Sequence, residues 1–180
     1  MRTATRSHVY EHKASRGVEA IHRVDLDPIK IKLMDQKEGE GWTPAQADAV
    51  EHWYRRFLIL NLKYPKDSIV PNSLVDTFWH YHILDTMKYA DDCQDIFGHF
   101  FHHFPYFGMR GDEDAKNLEK AFDQTKDLFH SEFGESLDEI HRAFSSDKPA
   151  SAKCKAGNCR SCKGSVCKSK MDRPQFVSAS

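Results

Sequence analysis

The residues best suited to chemistry lie between Asp76 and His103, where histidines, carboxylates and a cysteine are concentrated. Neutral imidazoles bind zinc, iron, copper or nickel, and a thiolate narrows this choice towards zinc or copper. We therefore predict a body metal site with ligands drawn from His80, His82, His103 and Cys93. Zinc and iron are the favoured metals, with copper as a further candidate. An open coordination position would permit hydrolysis by activated water or, with iron, oxygen chemistry.

Helical geometry restricts how these side chains can meet. At about 100° per residue, Asp76 and His80 share one helix face, whereas His82, Tyr89 and Cys93 lie on nearly the opposite face. One metal held by both His80 and His82 would therefore require a break in the helix. The alternative is that these residues are hydrogen-bonded or apolar parts of the core, without a metal. The residues predicted to support and orient the ligands are Asp76, Asp92 and Tyr89.

A second candidate metal site lies in the C-terminal tail, where four cysteines follow the spacing C-x4-C-x2-C-x4-C. Four thiolates so close together could complete a tetrahedral site, and the bound metal would have to supply the order. The alternative is a flexible basic tail whose thiols are reduced or form local disulfides. Interleaved lysines could attract phosphate, but no aromatic residue among them offers a stacking platform for nucleic acid. The predicted tail ligands are Cys154, Cys159, Cys162 and Cys167.

The elements that must position these residues are predicted to be helices. Apolar residues recur at three- and four-residue steps, and Pro follows a capping residue at Asp27-Pro28 and Thr43-Pro44. No run of alternating β-branched residues indicates a strand. We therefore predict an all-α fold, a compact bundle of about five helices with a disordered or metal-organised tail. The predicted helices span residues 28–37, 44–64, 73–97, 112–133 and 137–144.

Composition divides the chain into three segments. Residues 1–24 are predicted to be a flexible N-terminal arm, residues 25–144 the helical domain and residues 145–180 the basic tail. The first 144 residues carry 18 Lys/Arg against 25 Asp/Glu, whereas the remaining 36 carry eight against two. With 39% hydrophobic residues and twelve Phe, the domain can close a core without disulfides. No secretory signal or membrane-length apolar run is seen, so we expect a cytoplasmic protein.

The segment from residue 69 to residue 108 resembles the glycine-rich domain-containing protein-like family. The shared pattern is an Asp, then Trp-His-x-His, Tyr, Asp-Cys and Phe-Gly. The resemblance implies a compact helical domain, found alone in bacteria and joined to glycine-rich segments in plants, without a well-established catalytic activity. This chain has no glycine-rich region, and its cysteine tail is not part of the pattern. The matching residues are Asp76, Trp79, His80, His82, Tyr89, Asp92, Cys93, Phe97 and Gly98.

Two functions of different classes fit these observations. The leading hypothesis is a cytosolic metal-binding protein, with a small hydrolytic or oxidative metalloenzyme as its more specific form. The alternative is a non-catalytic helical interaction module whose tail binds a metal, a partner protein or a nucleic acid. The chain contains no Gly-rich phosphate loop, no GxSxG elbow and no HExxH pattern. The expected partner is a small molecule or a protein, and not a membrane.

Overall fold

A computed structural model describes residues 4–146 of the chain, and within them the fold is entirely helical. The predicted all-α class is confirmed, with seven helices in place of the expected five. In the described range no helix combines the length and the apolar character needed to cross a membrane. The helices are α1 (Ala4–Arg23), α2 (Asp27–Met34), α3 (Pro44–Lys63), α4 (Ser73–Leu84), α5 (Thr86–Phe97), α6 (Asp112–Phe133) and α7 (Glu139–Ser146).

The N-terminal segment differs from its prediction. Residues 1–24 were expected to form a flexible arm, but α1 occupies most of this range and packs against α3 and α5. Ala20 and Ile21 are buried in the main core. The face of α1 that contacts the core includes Gly17 and Ala20, which are too small to produce a recognisable apolar stripe in the sequence. The first helix is therefore part of the domain.

Helix α3 is the central element, since it contacts α1, α2, α4, α6 and α7. The N-terminus of α3 lies at Thr43-Pro44, as the sequence predicted. The Thr43 hydroxyl accepts a hydrogen bond from the Gln46 backbone N–H at 3.2 Å, and the Gln46 side chain accepts one from the Thr43 N–H at 3.0 Å. Pro44 occupies the first helical turn, and the helix ends before Pro65. The buried aromatic face of α3 includes Trp53, Tyr54 and Phe57.

The single helix predicted over residues 73–97 is divided in two by Asp85. This residue has ψ of 72°, which is outside the helical range, so α4 ends at Leu84 and α5 begins at Thr86. A straight helix would hold residues ten positions apart about 15 Å from each other. The break instead brings His82 beside Asp92 and Trp79 beside Tyr89. These two contacts position the candidate site.

A connecting segment, residues 98–111, follows α5 and supplies the other part of the site. Gly98 ends α5 in a left-handed conformation with φ of 74°, which glycine adopts without strain. The segment then buries Phe101 in the main core, and it buries Phe104 and Phe107 in a smaller cluster with Val70 and Leu118. Burial of an aromatic ring at every third position therefore holds the segment against the helices and fixes the position of His103.

Candidate metal centre

Three side chains from two elements converge beside α4. Asp76 and His80 lie one helical turn apart on α4, and His103 approaches them from the connecting segment. The His80 Nε2 and His103 Nε2 atoms are 2.8 Å apart, and Asp76 Oδ1 lies 3.3 Å from His103 Nε2. Asp76 Oδ2 lies 3.7 Å from His80 Nε2. One ligand atom from each residue falls within 4.8 Å of the other two, so this group could hold a metal ion.

The spacing of these atoms fits a metal centre. Zinc binds nitrogen and carboxylate oxygen at about 2.0–2.2 Å, so ligand atoms at tetrahedral angles lie about 3.4 Å apart. The two imidazole nitrogens are 2.8 Å apart, about 0.6 Å closer than that value, and the Asp76 oxygens lie 3.3 Å (Oδ1 to His103) and 3.7 Å (Oδ2 to His80) from them, close to it. Without a metal, the short contact between the two imidazoles requires a proton on one of the Nε2 atoms. A metal ion would take the place of that proton.

The site is buried on one side and open on the other. The side chains of Asp76 and His103 are 5% and 10% exposed, whereas that of His80 is 34% exposed. Burial lowers the pKa of His80; the Asp76 carboxylate opposes this shift and His103 adds to it. The neutral imidazole, which is the form that binds metals, is therefore favoured. The His80 side of the group leaves access for water or a small molecule.

A buried chain of hydrogen bonds holds the connecting segment in place. The Trp79 indole N–H donates to the Tyr89 hydroxyl at 2.8 Å, and that hydroxyl donates in turn to the carbonyl oxygen of Phe101. Burial raises the pKa of Tyr89 well above its usual value, so the phenol keeps the proton it donates. The Trp79 ring stacks on Phe101 and contacts the His103 ring. Tyr89 therefore supports the site through the backbone two residues before His103.

His82 was a predicted ligand, but the structure does not bring it into this group. The His82 side chain is 2% exposed, its Nδ1 lies 2.8 Å from the Tyr54 hydroxyl, and its Nε2 lies 2.8 Å from Asp92 Oδ2. Lys88 contacts the same carboxylate oxygen at 3.0 Å. Burial acts to raise the pKa of the Asp92 carboxyl group. The hydrogen bonds from His82 and Lys88 outweigh this effect, so the pKa of Asp92 is lowered. Both ring nitrogens of His82 are thus used in linking α3, α4 and α5.

Cys93, the fourth predicted body ligand, also lies outside the group. It is 2% exposed, and burial raises its thiol pKa against the opposing effect of hydrogen bonds with the Phe101 backbone and Tyr89. A protonated, buried thiol is a poor metal ligand. Within residues 14–145, whose side chains the structure describes, the metal-binding group therefore contains nitrogen and oxygen donors without sulfur. The four tail cysteines, Cys154, Cys159, Cys162 and Cys167, lie outside the described residues.

The structure changes the predicted set in two further respects. Asp76 was expected only to orient His80, but its carboxylate lies close enough to both imidazoles to be a ligand itself. Tyr54, the partner of His82, was not identified because it lies 28 residues away on α3 and belongs to an ordinary apolar stripe. Spacing within one helix indicated the contact between Asp76 and His80, whereas no sequence signal indicated Tyr54.

The described fold is all-helical, and it brings two imidazoles and a carboxylate together. The protein is therefore classed as a helical protein with a candidate metal centre. The chain belongs to the UCP032817-like family, which it matches over residues 17–131. The match begins within α1, ends within α6 and includes Asp76, His80 and His103. No curated protein and no solved structure matches the chain. The resemblance to the glycine-rich domain-containing protein-like family stays a prediction.

Proposed function

We propose that this protein binds a divalent transition metal through Asp76 Oδ, His80 Nε2 and His103 Nε2. The observation that carries the proposal is the convergence of these three ligand atoms within 4.8 Å. The donor set has two neutral nitrogens and one anionic oxygen, which suits zinc or ferrous iron better than a sulfur-seeking ion such as Cu(I). Zinc and iron remain the favoured metals for this centre.

The more specific form of the proposal is a small cytoplasmic metalloenzyme. Three protein ligands leave at least one coordination position open, as in catalytic rather than structural zinc sites. Bound zinc would supply an activated water for hydrolysis, and iron with two histidines and a carboxylate would supply oxygen chemistry. Partial exposure of His80 gives a small molecule a route to that position. The chain's own contribution is to position the His103 imidazole, through the hydrogen bond from Tyr89 to the Phe101 carbonyl and through packing of the Trp79 ring against it.

Elemental analysis of the purified full-length protein tests the proposal. To separate the body from the tail, we would replace Cys154, Cys159, Cys162 and Cys167 with serine. In this background, we expect about one zinc or iron per chain after reconstitution. We expect each of the substitutions His80→Ala, His103→Ala and Asp76→Asn to reduce that content by at least tenfold. His102→Ala is the matched control, because His102 is an exposed histidine of the same connecting segment, and this variant should retain the metal.

Two outcomes would contradict the proposal. In the first, the four serine substitutions abolish metal binding while His80→Ala made in the wild-type chain has no effect, which supports the alternative of an interaction module with a metal-binding tail. In the second, neither set of variants changes the metal content, which means that metal is bound elsewhere or adventitiously. Circular dichroism of each variant establishes that lost metal does not reflect lost helical structure.

A further inference from the structure

A polar cleft of about 410 Å³ lies between α6 and the turn that follows α3. One side is formed by Asn117, Lys120 and Gln124, which recur at three- and four-residue steps on α6. The opposite side is formed by Lys66, Asp67 and Ser68, and the connecting segment adds Phe107 and Arg110. This volume lies within the range of about 300–1,000 Å³ that is usual for small-molecule sites. The cleft is large enough for a small metabolite.

The cleft concentrates positive charge on a body that is otherwise acidic. Lys66, Arg110 and Lys120 line it together with two carboxylates, Asp67 and Asp114, which gives the lining a net charge of +1. Residues 1–144 as a whole carry a net charge of −7. In the described part of the chain, neither Lys66 nor Lys120 takes part in an ion pair. A local excess of cations against the charge of the whole body indicates attraction for an anion.

One wall of the cleft is held rigidly. The Asp114 carboxylate accepts hydrogen bonds from the Gly108 N–H at 2.6 Å and from Arg110 Nη2 at 2.5 Å. The Arg110 guanidinium also lies over the Phe104 ring, 5.2 Å from its centre. Arg110 is therefore fixed at the cleft without ordering by a ligand, and preorganisation of this kind favours binding.

We propose that this cleft binds a small phosphorylated molecule. A phosphate group carries up to two negative charges and several acceptor oxygens, and the cleft offers two lysine ammonium groups, the Ser68 hydroxyl and the amides of Asn117 and Gln124. A single carboxylate would use fewer of these donors. Phe107 and Ala121 provide a limited apolar surface for the carbon skeleton of the ligand. This site is distinct from the group of Asp76, His80 and His103 and does not depend on a metal.

Calorimetric titration of metal-stripped, full-length protein with ribose 5-phosphate tests the inference, with unphosphorylated ribose as the ligand control. Stripping the metal prevents binding of phosphate through the other site. We expect ribose 5-phosphate to bind and ribose not to bind. Lys66→Glu and Lys120→Glu should each weaken the affinity about tenfold or more, because a cation is replaced by an anion. Both lysines are exposed, so these variants should fold.

The matched control is Lys116→Glu, since Lys116 is an exposed lysine of α6 that does not line the cleft. This variant changes the net charge by the same amount and should bind as the wild type does. Absence of measurable binding by the wild type would overturn the inference. Equal affinity in the wild type and the Lys66→Glu and Lys120→Glu variants would place binding elsewhere, for example on the basic tail. If Lys116→Glu lost as much affinity as the two cleft variants, the loss would be due to net charge and not to the cleft.

Discussion

His80 and His82 lie only two residues apart on α4, but the partners of their rings give them different chemistry. His82 has a partner on each ring nitrogen and is fully covered by protein. His80 instead meets a second histidine at the edge of the core, where its ring is partly exposed. A metal can replace the proton between His80 and His103, whereas a metal at His82 would have to displace Tyr54 or Asp92. The two histidines therefore have separable roles.

Substitution of His82 by alanine should lower stability without removing the metal. The change leaves the buried Tyr54 hydroxyl without its His82 partner, removes one of the two partners of the Asp92 carboxylate and creates a cavity in the core. We expect the free energy of unfolding, measured by chemical denaturation, to fall by about 2–4 kcal/mol. The metal content of the folded variant should match that of the wild type.

The exposed residue His102 provides the comparison, because His102→Ala should change stability by less than about 0.5 kcal/mol. If His82→Ala instead lost the metal at unchanged stability, His82 would be a ligand and the assignment of its neighbour Asp92 would have to be revised.

Asp114 is the residue at which pH should act on stability. Its pKa is lowered by the hydrogen bond from the Arg110 side chain, against the effect of burial, with further help from the backbone N–H groups of Arg110 and Gly108. A lowered pKa in the folded state means that the stabilisation is complete above the unfolded value of about 4 and is lost as the pH falls through the folded value. Asp114→Asn should therefore cost about 1–3 kcal/mol at pH 7.

This cost should shrink as the pH falls below about 4, because the wild-type carboxyl then becomes neutral as well. Denaturation of both proteins between pH 3 and pH 7 measures the difference. Asp112→Asn serves as the control, since Asp112 is an exposed carboxylate in the same helical turn. A difference between wild type and Asp114→Asn that is independent of pH would show that the charge of Asp114 is not what stabilises the turn.

At the scale of elements, α1 docks on its neighbours through the close approach of its backbone at Gly17 and not through a large apolar surface. A Cβ atom added at Gly17 would lie 2.6 Å from Leu62 Cδ2 and 2.7 Å from the carbonyl oxygen of Ile96. The leucine side chain can move, but the backbone oxygen of α5 cannot move without shifting that helix. Gly17 therefore lets α1 approach both α3 and α5.

This arrangement predicts an unusual sign for Gly17→Ala. In an exposed helix or a flexible arm, the substitution would stabilise the helical state by about 0.5–1 kcal/mol. Because α1 is docked at this position, we expect a loss of about 1–3 kcal/mol in the free energy of unfolding. Ser15→Ala, at an exposed position of the same helix, should be neutral or slightly stabilising. A stabilised Gly17→Ala variant would mean that α1 does not pack as described.

The elements that could be predicted from the sequence are those whose signals are local. The capping residue Thr43, the start at Pro44 and the stop before Pro65 all lie within α3 or beside it, and each was found in place. The break at Asp85 and the docking of α1 depend on contacts with other helices. Neither has a local signature, since Asp85 is not a glycine or a proline and Gly17 resembles a weak helix former.

In the candidate site, too, local contacts could be predicted and long-range contacts could not. Helical spacing was enough to place Asp76 beside His80. The position of His103 depends on Tyr89 and Phe101, whose hydrogen bond joins α5 to the connecting segment. This link exists only because the break at Asp85 turns α5 back on α4. The sequence therefore indicated which residue types would form the site, while tertiary contacts decided which of them meet.

In the described part of the chain, all seven helices contribute buried residues to the main core, which lies beside the smaller cluster of Phe104, Phe107 and Leu118. This core contains large aromatic side chains from α3, α4 and α5, and it does not include the candidate ligands. Folding of the helical body should therefore precede metal binding rather than require it, unlike the small zinc domains that unfold without their metal. Chelation should leave the far-ultraviolet circular dichroism of the protein unchanged.

Metal should nevertheless raise stability by mass action, since the three ligands converge only in the folded state. With the four tail cysteines replaced by serine, a free zinc concentration of about 100 times the dissociation constant should increase the free energy of unfolding by about 2.7 kcal/mol. His80→Ala should abolish this increase while remaining folded, because its ring lies at the edge of the core. Denaturation with and without zinc measures both effects. An equal increase in His80→Ala would assign the stabilisation to a different site, and unfolding upon chelation would show that the core cannot hold the fold without the metal.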